Sequence, residues 1–76
     1  MKIERNSTRF KDAKGVEIFE GDVLRCIDEP DVDDFIVWCP EFQYRLNSNY
    51  SNSQEDLIDW VVIGSIDNPI FSHLKS

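Results

Sequence analysis

Short runs of alternating apolar and polar residues dominate this chain and favour β-structure. Four runs are strand-like and bounded by Gly, Pro, Asn or Asp: residues 23–27, 35–39, 42–46 and 59–63. A side-chain period of two is typical of a half-buried strand, and helical periodicity is weak throughout. A fifth and shorter apolar run, residues 16–19, precedes the turn sequence Glu-Gly-Asp at residues 20–22. The runs at residues 35–39 and 42–46 are predicted to pair as a hairpin.

The length of the chain limits it to one small domain. A chain of 76 residues buries a thin core, which nine aromatic residues help to fill. Five short strands joined by tight links favour a bent sheet that closes on itself, because a flat sheet would expose its edges and one apolar face. We therefore predict an all-β fold, a small β-barrel of about five strands, with residues 1–76 as a single domain.

The segments between and beyond the strands are predicted to be loops and turns. Residues 1–7 are expected to form an N-terminal arm, and residues 47–55, rich in Ser and Asn, a mobile surface loop. A short turn is predicted at residues 55–57. After the last strand we expect a turn or a one-turn helix that places three apolar side chains on the barrel end: Ile70, Phe71 and Leu74.

Several residues are interpreted as structural turn positions rather than as site residues. They are Gly15, Gly21, Asp22, Gly64 and Pro69. Gly21 can supply a positive φ in the Glu-Gly-Asp turn, and Asp22 is expected to cap that turn with its side chain. Gly64 is expected to end the last strand, and Pro69 follows Asn68 in a turn signal.

Two separated blocks carry a family resemblance. Residues 8–25 read TRFKDAKGVEIFEGDVLR and residues 62–69 read VIGSIDNP. They resemble the YopX-like family of small phage and prophage proteins, whose members look like GLKDxxGxEIxEGDxV near the start and VIGNIxxNPxL at the end. The resemblance implies an SH3-like β-barrel, and this chain resembles the C-terminal barrel portion of longer members. Relatives read Thr-Gly-Leu where this chain reads Thr8-Arg9-Phe10, so the first turn lacks the glycine of the pattern.

Cysteine usage and hydropathy predict a cytoplasmic protein, in the host cell cytoplasm if the chain is phage-encoded. The N-terminal residues have no apolar signal-peptide region, and no apolar run is long enough to span a bilayer. Cys26 and Cys39 are then expected to be reduced, buried thiols, with a disulfide or a metal site as the alternative. Two cysteines and one histidine without a CxxC pair make a poor zinc set.

Charge is distributed unevenly along the chain. Residues 1–14 hold five basic and two acidic residues, a net +3, whereas residues 15–76 hold three basic and thirteen acidic residues, a net −10. The acidic part disfavours nucleic acid and favours a basic protein partner, although the acidity alone also increases solubility. The candidate protein-binding residues lie in one predicted acidic loop: Asp28, Glu29, Asp31, Asp33 and Asp34.

The sequence offers less support for a metal site or a catalytic site. The same acidic loop could offer oxygens to a divalent ion, but it lacks the glycine of a sharp calcium-binding turn. Glu20 and Asp22 could form an acid–base pair, but neither a nucleophile nor a histidine accompanies them. We therefore predict no enzymatic activity, no cofactor and no metal site, and we expect the lone His73 to lie on the surface.

Aromatic residues could form a binding platform or a core. Trp38, Tyr44 and Trp60 could stack on bases or proline-rich peptides, but few basic residues are interleaved with them. Core packing is therefore predicted for Trp38 and Trp60, and exposure for Tyr50.

The sequence as a whole predicts a non-enzymatic phage or prophage accessory protein. It would bind a protein with a basic surface through its acidic face, and a sharper form of this hypothesis is inhibition of a host or defence nucleic-acid-binding protein. The alternative is a small nucleic-acid-binding barrel that uses the basic N-terminal segment. Homo-oligomerisation is compatible with a thin core and exposed strand edges.

Overall fold

The computed structural model describes residues 6–41, 43–48 and 53–75. The elements follow the order β1 (Ser7–Lys11), β2 (Glu17–Phe19), β3 (Asp22–Cys26), β4 (Asp33–Cys39), β5 (Gln43–Leu46), α1 (Gln54–Leu57), β6 (Trp60–Ser65) and a 3-10 helix (Pro69–Lys75). The prediction of an all-β chain with short helical turns is confirmed.

The described strands form two antiparallel sheets. β1 pairs with β2, and the larger sheet has the order β5-β4-β3-β6. β4 and β5 pair as the predicted hairpin, with Trp38 opposite Tyr44; Phe42, the first residue of the predicted fourth run, lies outside the described residues. The strands therefore do not form the single continuous five-stranded sheet that was predicted.

β1 is a strand that the apolar runs did not predict, and a bulge interrupts its pairing with β2. Ser7 lies opposite Phe19 and Lys11 lies opposite Glu17, so the residues of β1 outnumber those of β2 between these two pairs. Arg9, in the bulge, has a φ of +66°. The left-handed conformation thus occurs at the position where the resembled pattern has glycine.

The predicted limits of the N-terminal arm and of the loop rich in Ser and Asn need correction. The predicted N-terminal arm ends too late, since Ser7 already belongs to β1, and residues 1–5 lie outside the described residues. The predicted loop over residues 47–55 also extends too far, because α1 begins at Gln54 with Ser53 as its N-cap. Residues 49–52 of that loop, including Tyr50, lie outside the described residues.

One hydrophobic core joins the two sheets and α1. Its buried members are Ile18, Leu24, Ile36, Leu46, Leu57 and Trp60. They come from β2, β3, β4, β5, α1 and β6, so each of these elements contributes a side chain. Full burial of an aliphatic side chain of this size stabilises a fold by about 1.5–3 kcal/mol. Trp60 confirms its predicted core position, whereas Trp38 is 56% exposed and the core prediction for it is wrong.

The Glu-Gly-Asp turn connects β2 to β3 and contacts two other elements. Gly21 has a φ of +86°, a conformation that residues with a Cβ atom rarely adopt. Its N–H donates to Ile36 O at 3.0 Å, and its carbonyl accepts from Ile66 N at 2.8 Å. The Asp22 carboxylate accepts from Phe19 N at 2.8 Å. The turn therefore links the smaller sheet to β4 and to the segment that follows β6.

Gly64 does not end the last strand, because β6 extends to Ser65. A Cβ atom at residue 64 would lie 2.6 Å from Cε2 of Phe71, so the glycine lets the ring of the 3-10 helix pack against the strand. Asn68 precedes that helix and accepts from Ile70 N, and Pro69 is its first residue. Phe71 is buried as predicted, but Ile70 is 68% exposed, so the expectation that it packs on the fold is wrong.

Candidate functional site

The five predicted protein-binding carboxylates fall into two structural groups. Asp28, Glu29 and Asp31 are exposed in the β3–β4 loop, whereas Asp33 and Asp34 belong to β4. The prediction that all five residues lie in a loop is therefore wrong for Asp33 and Asp34. β4 begins earlier than expected because its first residues continue the ladder with β3, where Arg25 pairs with Asp33.

Asp34 is a buried carboxylate that organises the backbone. Its side chain is only 1% exposed. It accepts from Ser48 N at 2.7 Å and from Phe35 N at 2.9 Å. These bonds connect the start of β4 to the segment after β5. Asp34 is thus inaccessible to a partner, and its removal would disturb the fold.

Asp33 has a basic partner on the neighbouring strand. Nε and Nη2 of Arg25 donate to the two carboxylate oxygens of Asp33 at 2.9 and 3.2 Å. This hydrogen bonding, together with the nearby negative charges of Asp33 and Asp31, raises the pKa of the Arg25 guanidinium above its ordinary value. The bidentate pair compensates the charge of Asp33, which therefore adds little to the acidic surface.

The acidic loop itself is held in a defined shape. Val32 N donates to Glu29 O at 2.8 Å, which closes a turn with Pro30 at its second position. Cys26 N donates to Val32 O at 3.1 Å and completes the end of the β3–β4 hairpin. The backbone of the loop is therefore ordered, and Asp28, Glu29 and Asp31 are presented from it to solvent.

A second segment lies beside this loop. Ile27 N donates to Asp59 O at 2.8 Å, and Cys26 pairs with Trp60 at the start of β6. Two large apolar side chains at this place are exposed, Ile27 by 51% and Ile58 by 54%. Asp59 is exposed as well. We call this surface the acidic end and define it by six residues: Ile27, Asp28, Glu29, Asp31, Ile58 and Asp59.

Sequence reasoning missed half of the acidic end. Ile27 alternates with Cys26 and lies on the same strand face as Arg25, whose charge was a usable signal that this face meets solvent. Ile58 and Asp59 are far from residue 27 along the chain and could not be assigned to the same surface from the sequence. Only the pairing of β3 with β6 brings them close to it.

Asp12 is a buried carboxylate that accepts three backbone hydrogen bonds, a role that sequence reasoning did not identify. It is 3% exposed. One oxygen accepts from Lys14 N and Val16 N, both at 2.8 Å, and the other accepts from Val62 N at 3.0 Å. Gly15, with a φ of +80°, completes the same turn by donating its N–H to Asp12 O.

The pKa of Asp12 reflects two opposing effects. Burial by itself raises the pKa, but the N–H groups of Val62, Val16 and Lys14 and the charge of Lys14 outweigh it, so the pKa lies below its ordinary value of 3.8. The carboxylate thus stays ionised, and its hydrogen bonds connect the β1–β2 turn to β6. This arrangement supports the fold and does not expose a reactive group.

The other candidate groups do not converge on one site. Asp22 is nearly buried in its turn beside the partly exposed Glu20, and His73 is exposed. Trp60 lies in the core while Trp38 is exposed on the hairpin, so Trp38, Tyr44 and Trp60 do not form one platform. Over residues 6–41, 43–48 and 53–75, no cluster of His, Cys, Asp or Glu could hold a metal ion.

The two thiols are separate. Cys26 and Cys39 are partly buried and not bonded to each other. The register of β3 and β4 places Cys26 near the start of β4, whereas Cys39 is the last residue of that strand. The alternative of a disulfide between them does not fit this geometry.

Comparison with known proteins gives no independent assignment. No protein-family model matches the chain, and no curated protein or solved structure matches it. Within the described part of the chain, no helix has the length and apolar character needed to cross a membrane.

Proposed function

We propose that this protein is a non-enzymatic binding module whose acidic end docks on a basic protein surface. The observation that carries the proposal is the placement of exposed Ile27 and Ile58 among exposed carboxylates on one ordered end of the sheet. Apolar side chains bordered by charged ones are typical of protein interfaces, where the apolar centre supplies affinity and the rim supplies orientation.

Electrostatics favour a basic partner. The segments 27–32 and 55–59 contain no basic residue, and the chain carries a net charge of −7. Opposite charges on a partner would accelerate encounter and select against acidic competitors. A protein that binds nucleic acid fits this description, since its binding groove is basic. Occupation of that groove would inhibit the partner, which is the sharper form of the proposal.

The origin and the finer fold belong to the same proposal. We infer membership of the YopX-like family of phage and prophage proteins from the two sequence blocks. We also infer that the two sheets correspond to the halves of an SH3-like barrel. Hydrogen bonds from Ala13 N to Trp60 O and from Val62 N to Asp12 support this reading, because they join the β1–β2 unit to the edge strand β6.

The test compares two double variants with equal charge change. D28N/D31N removes two carboxylates from the acidic end, and E41Q/D67N removes two exposed carboxylates from turns at the other end of β4 and β6. Each protein is used to capture partners from a host lysate, and association rates are then measured with the purified partner. We expect D28N/D31N to slow association and flatten its salt dependence, whereas E41Q/D67N should behave like the unmodified protein.

The apolar centre is tested by I27S/I58S. Both side chains are exposed, so this variant should fold normally and dissociate faster from the partner. If D28N/D31N and E41Q/D67N slow association equally, net charge rather than the acidic end determines binding, and the proposed site is wrong.

Nucleic-acid binding is the alternative function, supported by exposed Arg9 and Lys11. Arg5, which belongs to the same basic N-terminal segment, lies outside the described residues. Titration of labelled DNA oligonucleotides at low salt separates the two functions. Micromolar or tighter binding that is lost in R9A/K11A would contradict the acidic docking model.

A further inference from the structure

A groove beside the β1 bulge has two cationic residues and one acidic residue, although the chain as a whole carries a net charge of −7. Its volume is about 360 Å³, and it is lined by Ser7, Arg9, Lys11 and Glu17. The groove contributes nothing to the proposed docking through the acidic end. From its residues we propose that it binds a small oxyanion, a phosphate monoester or a carboxylate, that also carries a hydroxyl or amino donor.

The bulge that forms one wall is held by side-chain hydrogen bonds. The hydroxyl of Thr8 donates to Ile18 O at 2.7 Å and accepts from Phe10 N at 3.1 Å. Arg9 N donates to Ser7 Oγ at 3.0 Å. The backbone around Arg9 is thus fixed before any ligand arrives, which lowers the entropic cost of binding.

Lys11 is fixed in a comparable way. The side chain of Gln54 accepts from Lys11 N at 2.7 Å and donates to Lys11 O at 2.8 Å, as a neighbouring strand would. Both cationic residues of the groove therefore start from an ordered backbone. Bulges commonly occur beside functional sites, where they change the direction of a side chain.

The charges of the groove are available to a ligand. Among the described residues, Arg9 and Lys11 have no carboxylate within ion-pair distance. The carboxylate of Glu17 accepts a hydrogen bond from the Ser7 hydroxyl. Within the described part of the chain, two cations without an ion-pair partner thus lie beside one hydrogen-bonded carboxylate. This set matches a small anion for Arg9 and Lys11, with a hydroxyl or ammonium group that donates to Glu17.

The backbone conformation of Arg9 is a second, independent observation that supports a binding role for its side chain. Its φ of +66° is unfavourable for a residue with a Cβ atom, and glycine or asparagine would occupy the position with less strain. Strain of this kind is concentrated at functional sites. The arginine is thus better explained by its guanidinium than by the shape of the bulge.

The net charge of the protein selects for a small ligand. A long polyanion would extend beyond the groove and be repelled by the net charge of −7, since repulsion acts over a Debye length of about 8 Å at physiological salt. A small anion would contact only the groove. A volume of about 360 Å³ is at the lower end of the range found for small-molecule sites.

The test uses two probes that separate the two oxyanions, glycerol 3-phosphate and glycerate, each in titrations followed by amide NMR shifts. At least one of them should give saturable shifts at residues 7–11 and 17, with a dissociation constant of about 1 mM or below. R9G should weaken that binding by at least about tenfold, while its thermal midpoint stays the same or rises. K14Q, which removes an exposed cation outside the groove, should bind like the unmodified protein.

Three outcomes would overturn the proposal. Neither probe gives saturable shifts, R9G binds the probe as tightly as the unmodified protein, or a single-stranded oligonucleotide binds through Arg9 while both probes fail. Because R9G relieves the backbone conformation, lost binding cannot be attributed to a damaged fold when the thermal midpoint is maintained.

Discussion

Replacement of Asp12 with asparagine should destabilise the fold far more than any exposed acid-to-amide change. The carboxylate accepts three backbone N–H groups, from Lys14, Val16 and Val62, in a nearly buried position. Asparagine has only one acceptor oxygen, so its NH₂ group would face at least one of these donors. A hydrogen bond to a charged group is worth about 1.5–3 kcal/mol, and a buried donor without a partner adds to the loss.

We expect D12N to lower the free energy of unfolding by about 2–3 kcal/mol. A chain of 76 residues has a total stability of roughly 4–11 kcal/mol, so this is a large fraction of it. The thermal midpoint should fall by roughly 10–20 °C. Urea and thermal unfolding followed by circular dichroism measure both quantities. The control is D67N, an exposed acid-to-amide change that should stay within about 0.5 kcal/mol of the unmodified protein.

The pH dependence of the difference identifies its cause. The pKa of Asp12 is lowered in the folded protein, so its ionisation stabilises the fold above the unfolded-state pKa near 3.8, and this contribution is lost as pH falls through the folded-state pKa. D12N lacks this titration. The gap in stability between the unmodified protein and D12N should therefore be constant near neutral pH and narrow below about pH 4. A gap of under about 0.5 kcal/mol at pH 7, or one independent of acid pH, would refute the role given to the carboxylate.

Three further predictions concern the turn, the strand glycine and the tryptophans. G21V should destabilise by about 1–2 kcal/mol in urea unfolding, because a β-branched residue at φ +86° is strained; an unchanged midpoint would contradict this. G64A should cost about 1–3 kcal/mol through displacement of Phe71, and part of the loss should be recovered when Phe71 is also changed to Leu. W60F should remove the blue-shifted component of the fluorescence and lower stability, whereas W38F should remove the red-shifted component with little effect, since Trp38 is the exposed one.

The parts of the fold that could be predicted from the sequence are those with local signals. β3 and β4 alternate, so their positions follow from side-chain period, and the turn at Gly21 follows from its sequence. β1 escaped prediction because Phe10 is its only apolar residue, so no apolar run marks the strand in the sequence. Trp38 was misplaced for a different reason. It shares a strand face with buried Ile36, but it lies near the end of β4, where the core no longer covers it.

The candidate site depended on contacts between distant parts of the chain. Asp12 acquires its role from Val62, fifty residues away. The acidic end likewise exists only because β3 pairs with β6 and places Asp59 beside Ile27. A local pattern cannot distinguish an exposed carboxylate from a buried one with backbone partners, since both read as an acidic residue in a polar stretch.

The difference between exposed and buried carboxylates decides which substitutions can test the role of the acidic residues in binding. Asp12, Asp22 and Asp34 are buried, and Asp33 is paired with Arg25, so these four carboxylates belong to the fold rather than to the free acidic surface. Neutralisation of every carboxylate in residues 28–34 would remove Asp34 together with the exposed residues, and lost binding would then reflect an altered backbone at Ser48. A variant that keeps Asp33 and Asp34 and changes only Asp28, Glu29 and Asp31 alters the surface without this effect. With such a variant, a change in partner binding can be attributed to the charge of the loop rather than to a change in the backbone.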